Sequence, residues 1–358
     1  MMLDVLRPIA AECDLTVPAE HRLPVAVVGA GSIVDVAHLP AYAAAGLEVR
    51  GIFDLDTAKA ADVAARHGLP RVYTSLEDLL ADDVPVLDIA VAPAAQPEVA
   101  VQALEAGKHL LCQKPFALEM ADAEKVVALA ADRGRVVTVN QQMRYEEGIA
   151  AARAMVRQGW IGEPVAMTIT VDIATDFSGW GWLYRSDRLD YWYHSIHYLD
   201  AVRSVLGDPA TVYAAAGRTP GQGPAGETRT ISTLTYPSGA HAMVFVNHEN
   251  RAGDTVAQFR IDGSEGAVRG TIGLLYDYPH GRPDTLEVSS RRLPTDGWLS
   301  YPVTSRWLPD AVAGPMRALL AEVATGREAP TSGRDNLATL RLVHALYRSV
   351  DTGQVQAP

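Results

Sequence analysis

The chain has 358 residues, 48% of them hydrophobic and 21% charged, with a formal net charge of −12. That length exceeds one ordinary core and suits two domains. The acidic balance argues against a nucleic-acid partner, which would need clustered Lys and Arg. The only cysteines, Cys13 and Cys112, are too few for a disulfide framework and point to a reducing, cytoplasmic setting. No apolar run reaches the ~18 residues of a membrane span, so no membrane association is expected. Asp4, Arg7, Glu12, Asp14 and Glu20 break up the N-terminus in a way a signal peptide does not tolerate, and residues 1–21 read as a surface-packed extension.

From residue 22 the elements alternate. Leu23–Gly29 is a short apolar run ending in glycine, the pattern of a buried parallel strand. A helix follows over 33–46, then a strand at 48–54 and an Ala-rich helix over 57–67 closed by Gly68. Strands at 87–91, 109–112 and 136–139 alternate with helices at 97–106 and 121–133. Strand–helix alternation of this spacing predicts a doubly wound parallel α/β sheet of the Rossmann type over residues 22–144. Beyond a helix at 148–158 the pattern changes. Strands at 165–173, 210–217, 228–236, 240–247, 256–262 and 267–270 are interrupted by one helix at 190–206. They predict an α+β domain over 145–358 with a large, mostly antiparallel open sheet. The final helices, near 315–325 and 336–351, are candidates to pack back on the first domain.

Gly29-Ala30-Gly31-Ser32-Ile33-Val34 ends the first strand and opens the first helix, the context a dinucleotide fingerprint requires. Gly29 permits the tight turn and Gly31 lets backbone approach a pyrophosphate at the helix N-terminus, with Ser32 and Ile33 in the same loop. Val34 stands where Gly or Ala is usual. Asp54 closes the second strand near the ~20-residue spacing at which an acid accepts hydrogen bonds from the adenosine ribose. It would repel a 2′-phosphate, which favours NAD over NADP; Asp56, directly before Thr57, suits a helix cap.

Gly107-Lys-His-Leu-Leu-Cys-Gln-Lys-Pro115 is the most specific stretch. With Gly29–Val34, Ala37-His-Leu-Pro40, Asp54-Leu-Asp56, Tyr73–Leu80, Gly159–Pro164, His197-Tyr-Leu-Asp200 and the C-terminal Ser332–Gly353 region, it resembles the glucose–fructose oxidoreductase, inositol dehydrogenase and rhizopine-catabolism family, Gfo/Idh/MocA. The resemblance implies an NAD-dependent oxidoreductase acting on a secondary alcohol or ketone of a sugar, inositol or related polyol. It places Lys114 beside the nicotinamide and the reacting hydroxyl, where a cation stabilises the developing alkoxide. It makes His197 the general acid/base.

Several positions depart from the family pattern. Gln113 replaces the usual glutamate before Lys114 and cannot hold it by charge, so the lysine pKa is expected to fall. Tyr193 occupies the aspartate position four residues before His197; it is either a donor to the substrate oxygen or a packing residue. Ala92 and Pro97 replace the usual Thr and His, leaving Pro93 and Gln96 to line the nicotinamide-side ribose. Arg144 lies either near the nicotinamide or in a structural ion pair. Trp180, Trp182, Tyr184, Arg185 and His194 are candidate substrate contacts, with a hydrophobic lid or subunit contact as the alternative for the aromatics. Cys112 lacks the surroundings of a nucleophile. His194, His197 and Asp200 share helical i,i+3 spacing, but no further His/Cys cluster accompanies them and no metal is expected. A strand-rich second domain with few covering helices predicts a homodimer or homotetramer. Two other functions remain open: an NAD-using lyase, epimerase or glycosidase with transient oxidation, and a ligand-sensing regulator on the same fold.

Overall fold

The computed structural model describes residues 2–293 and 297–358. The chain divides into two compact units. The first contains Leu15–Tyr145 and Leu308–Leu340; the second contains Met1–Asp14, Glu146–Trp307 and Arg341–Pro358.

In the first unit, β1 (Val25–Val28), β2 (Val49–Phe53), β3 (Val86–Ile89), β4 (His109–Cys112) and β5 (Val137–Val139) form one sheet in the order β2-β1-β3-β4-β5. All four pairings are parallel. All four residues of β1 are buried, as an apolar strand covered on both faces requires. Its Val27 packs with Val34, Ile52, Val63 and Ala64, and a fully buried side chain of this size is worth roughly 1.5–3 kcal/mol. The crossover helices are Thr57–His67, Gln96–Glu105 and Met120–Asp132. Asp56 caps the first by accepting from the Lys59 amide at 3.1 Å, and Gly68 ends it at φ +64°, a left-handed position suited to glycine. The helix after β1 is less regular than its sequence suggests. It runs as a π-helical turn over Val34–His38 and turns α-helical over Leu39–Ala44. Pro40, which has no amide to donate, stands where the two forms join.

The strand order reverses between β2-β1 and β3-β4-β5, so β1 and β3 flank a switch point, where the carboxyl ends of such sheets open a crevice for ligands. Leu308–Leu340 completes this unit: the Val139 amide donates to the Thr331 carbonyl at 2.8 Å, and Thr138 bridges to Ser332. The chain thus returns to the first unit after residue 307, where the sequence reading assigned 145–358 to the second domain with its final helices as candidates to pack back on the first.

The second unit is built on an eight-stranded sheet. Its strands are β6 (Pro164–Asp172), β7 (Thr211–Gly217), β8 (Arg229–Thr235), β9 (His241–Asn247), β10 (Val256–Gly263), β11 (Gly266–Thr271), β12 (Leu286–Ser290) and β13 (Leu299–Tyr301). They are ordered β13-β12-β11-β10-β6-β9-β8-β7, with only β6 and β9 parallel. β12 and β13 were not legible in the sequence. The inner face carries Met167, Ile169, Val171, Val244, Val246 and Phe259, and the helix Ile196–Leu206 contributes buried Leu199 and Val202. β8 inverts the usual pattern: Thr230 and Ser232 point inward and are buried, while Ile231 is 40% exposed. The N-terminal residues, expected as a surface extension, form a helix over Met2–Glu12 within this unit. Leu6 and Ile9 on it are buried, and Gln158 donates to Glu12 at 3.1 Å. No helix among the described residues is long and apolar enough to cross a membrane.

A buried carboxyl pair marks the second unit. Glu146 accepts from the amides of Gly148 and Ile149 at 2.9 and 3.0 Å. Asp284 accepts from the Gly273 amide and lies so close to Gly148 that a Cβ there would stand 2.6 Å from its Oδ2. Burial, and then the charge of Glu146, push the Asp284 carboxyl far above the usual carboxylate range; burial raises Glu146 as well. Above about pH 4 the unfolded chain releases the Asp284 proton while the folded chain retains it, so this pair lowers stability as pH rises. The Asp284→Asn variant is therefore expected to lose less melting temperature than the parent between pH 6 and pH 9. Equal losses in a pair of thermal scans would contradict the retention of the Asp284 proton in the folded chain.

Candidate functional site

Within the first unit, the glycine turn is fixed by packing and left open above. Gly29 sits at φ +105°, and a Cβ there would collide with the Ala90 carbonyl; its amide donates to the Phe53 carbonyl at 2.7 Å. A Cβ on Gly31 would meet nothing within 4 Å. Gly31 closes the turn by accepting from the amides of Val34 and Asp35 at 3.0 and 3.2 Å. Ser32 and Ile33 supply the first helical amides, which have no acceptor inside a helix. Asp54 lies against the same turn: its Oδ2 accepts from the Ala30 amide at 2.7 Å and its Oδ1 from the Asp56 amide at 2.9 Å. Val34, at the position where a small residue is usual, is fully buried in the helix–sheet core. Open space over Gly31, orphan amides at a helix start and a carboxylate at the end of β2 together fit a dinucleotide.

The end of β4 is held by a polar framework (Gln96, His38 and Asp88) whose tasks the sequence did not reveal. Gln96, expected at the ribose, is buried, and its amide is committed to the turn after β4. Its Nε2 faces the carbonyls of Gln113, Pro115 and Phe116 at 2.6, 3.1 and 3.0 Å, and its Oε1 accepts from the Gln113 amide at 2.9 Å. The Gln113 side chain in turn accepts from the Lys114 amide at 2.7 Å through Oε1 and faces His38 Nε2 at 3.0 Å through Nε2. Asn140 Nδ2 also faces His38 Nε2, at 3.1 Å. On the other side of the ring, His38 Nδ1 and the Tyr42 hydroxyl meet Asp88 Oδ2 at 2.6 and 2.8 Å. Only one arrangement satisfies every donor: Nδ1 carries the proton and donates to Asp88, while Nε2 accepts from the two amides. A glutamate at 113 would offer His38 Nε2 an acceptor in place of a donor, so Gln113 and His38 are matched.

Lys114 stands half-buried at this turn. Burial pulls its ammonium down to about 8, in the direction expected from Gln113 but by desolvation. Pro93 is buried in the turn that opens the Gln96–Glu105 helix. Arg144 makes an ion pair: it donates to Asp335 at 2.7 Å and to the Pro330 carbonyl at 2.7 Å, nearly buried. Cys112 is fully buried, and burial pushes its thiol far up, which rules it out as a nucleophile.

Within the second unit, Tyr193 and His194 lie on a π-helical turn over Tyr191–Ser195, and His197 on the helix that continues from it. The Tyr193 ring meets Trp182 edge-on with centroids 5.0 Å apart and packs on Phe177, Leu183 and Leu189. His197 is buried, with its ring edge-on to Trp307 at 5.1 Å. Asp200 is buried and faces Arg203 at 3.6 Å, one turn on along the helix. The aromatic stretch is half open: Trp182 is 49% and Tyr184 36% exposed, Trp180 meets the exposed Tyr278 edge-on, and Arg185 is exposed.

Sequence reasoning missed the cluster beneath. His248, just beyond β9, faces Asp190 Oδ1 through Nε2 at 3.0 Å and Thr175 Oγ1 through Nδ1 at 2.9 Å. Its ring packs edge-on against His194. Asp190 Oδ2 accepts from Ser195 and Thr230 at 2.5 Å each. Glu227 accepts from the Leu189 and Asp190 amides and from the Tyr347 hydroxyl. The one available signal was the inverted pattern of β8, whose inward Thr230 serves Asp190 while Ser232 meets the Tyr191 hydroxyl at 2.8 Å.

A parallel βαβ sheet with a glycine turn after β1, an acid ending β2 and a half-buried lysine ending β4 defines a nicotinamide-dinucleotide-dependent oxidoreductase. Residues 23–141 match the model of the oxidoreductase family with an NAD-binding Rossmann fold, and residues 149–269 match the GFO/IDH/MocA C-terminal domain. D-apiose dehydrogenase of Paraburkholderia graminis is 32% identical over 317 residues, which is 86% of this chain and 82% of that protein. D-xylose 1-dehydrogenase (NADP(+)) 2 of Haloferax volcanii is 26% identical, over 91% of this chain and 97% of its own. Among solved structures, an oxidoreductase from Agrobacterium radiobacter in complex with NAD+, L-tartaric acid and magnesium superposes with a TM-score of 0.83 at 26% identity, covering 94% of this chain and 98% of that one. The chain belongs to the GFO/IDH/MocA family of oxidoreductases.

Proposed function

We propose that this oxidoreductase moves hydride between NAD and a secondary alcohol or ketone of a sugar or polyol, with Lys114 and His197 as its catalytic residues. The single observation that carries the reading is Lys114, a half-buried cation with its pKa lowered to about 8, at the end of β4 in a unit that also presents the glycine turn and Asp54. Relatives named for D-apiose and D-xylose support a sugar-like substrate. The exposed Trp182, Tyr184 and Tyr278 faces suit stacking on sugar C–H surfaces.

When bound, the dinucleotide supplies the hydride acceptor for oxidation and the donor for reduction. Gly31 and the Ser32 and Ile33 amides hold its pyrophosphate, and Asp54 holds the adenosine ribose. Asp54 and the neighbouring Asp56 disfavour a 2′-phosphate, so NAD is preferred over NADP, in contrast to the NADP named for the xylose-oxidising relative. Lys114 steadies the negative charge on the reacting oxygen, and His197 takes the hydroxyl proton in oxidation and returns it in reduction. Tyr193 serves as packing beneath Trp182, with burial pushing its phenol above the usual range and away from proton exchange near neutrality.

The test is a screen of aldoses, anhydrosugars and inositols, following reduced cofactor by absorbance with NAD and NADP in parallel. The expected result is turnover of at least one polyhydroxy substrate with NAD faster than NADP, and about 10²–10⁴-fold less turnover in Lys114→Ala and in His197→Ala. Near-parental turnover in His197→Ala would remove it from the chemistry, and faster turnover with NADP would overturn the role given to Asp54.

The outer face of the eight-stranded sheet supports a homo-oligomer. Ile231 pairs with Phe245 across β8 and β9, flanked by Ala215 and Thr170, and Tyr213 on the same face is 43% exposed. A second copy of this chain covers that apolar band. Light scattering is expected to give a multiple of the chain mass for the parent and a smaller species for Ile231→Asp. A monomeric parent at micromolar concentration would refute the assembly.

A further inference from the structure

The cluster around Asp190 has the donor set and enclosure of a metal centre. Ligand atoms of Asp190, His194 and His248 all lie within 4.8 Å of one another. Ligands about 2.0–2.2 Å from a zinc ion stand roughly 3.4 Å apart in a tetrahedron, so modest side-chain rotations close the set, and the Asp190 Oδ1–His248 Nε2 distance of 3.0 Å is already near that value. Asp190 and His248 are fully buried, whereas His194 is half-buried, which leaves one side of the cluster open. The absence of metal expected from the sequence rested on His194, His197 and Asp200 along one helix. The partner that changes the assessment is His248, which sequence distance hid.

We propose that Asp190 Oδ1, a ring nitrogen of His194 and His248 Nε2 hold a divalent cation of the zinc class, with a fourth position left for water or a ligand hydroxyl. Two imidazoles and one carboxylate suit zinc, cobalt or iron in the divalent state over magnesium or calcium, which favour all-oxygen sets. The surrounding shell is that of a metal site. Ser195 and Thr230 hydroxyls occupy Asp190 Oδ2 at 2.5 Å each and turn Oδ1 toward the histidines. Thr175 Oγ1 meets His248 Nδ1 at 2.9 Å. A threonine hydroxyl both donates and accepts. In the ion-free chain, His248 donates from Nε2 to Asp190 and accepts from Thr175 at Nδ1. When the ion takes Nε2, the same imidazole carries its proton on Nδ1 and donates it to Thr175. The ring changes tautomer without net proton loss, and Thr175 turns from donor to acceptor. The inward Thr230 of β8 is explained by the same site.

The experiment uses the full chain stripped with a chelator and titrated with Co2+, read by visible d–d absorption, and with Zn2+, read by calorimetry. The expected result is one saturable equivalent per chain at micromolar or tighter affinity, weakened at least about tenfold in His194→Gln and in His248→Gln, and about 10–100-fold in Thr230→Val, which removes an orienting hydroxyl. His194 is half-buried, so its variant decides the matter if the His248 variant does not fold. No saturable binding at 1 mM of either ion would overturn the proposal. So would binding that is unchanged in His194→Gln.

Discussion

One buried amide organises the end of β4. Gln96 meets three carbonyls and one amide of residues 113–116, and these contacts fix the turn on which Lys114 stands. A buried hydrogen bond contributes only about 0.5–1.5 kcal/mol net, but leaving its partner unsatisfied costs more. The turn is therefore held most firmly by what its loss would strand. Behind it, the Asp88–His38–Gln113 chain sets the orientation of the Gln113 amide and so directs Oε1 to the Lys114 backbone. A lysine whose charge must be supported at a particular place, in a partly desolvated setting, needs a backbone that does not move.

The second unit solves a similar problem with different groups. Asp190 is buried with its charge, which is tolerable only because hydroxyls, a histidine and a backbone framework surround it. Glu227 carries that framework one layer further by binding the Leu189 and Asp190 amides and the Tyr347 hydroxyl. The π-helical turn over Tyr191–Ser195 places His194 and Ser195 against this cluster just before the helix that bears His197. Irregular helical turns of this kind accompany functional positions, and both units contain one.

What was legible in the sequence was local. The glycine turn, Asp54, the Asp56 cap and Lys114 depend on neighbours a few residues away, and the strand–helix alternation follows from short-range periodicity. What was not legible depends on partners far along the chain. The family resemblance placed Gln96 at the cofactor and left Arg144 either near the nicotinamide or in an ion pair; only folding shows Gln96 enclosed, and Arg144 paired with Asp335, 191 residues away. His248 joins Asp190 across 58 residues, with no motif to announce it. β12 and β13 are only five and three residues long, too short for their alternation to stand out, and periodicity alone does not say where the return of Leu308–Leu340 to the first unit begins. The N-terminal helix was hidden by scattered charges, the exposed Arg7 and Glu12 among them, around its buried Leu6 and Ile9.

The central claim is that folding lowers the pKa of Lys114 by desolvation while leaving it charged at neutral pH. It is tested most directly by titrating the lysine side chains in the cofactor-free protein, using carbon-13 labelled lysine and nuclear magnetic resonance, with Lys114→Arg to assign the signal. The account predicts one resonance, absent from the variant, that titrates at about 8. A Lys114 signal titrating at the ordinary value near 10.4 would contradict it.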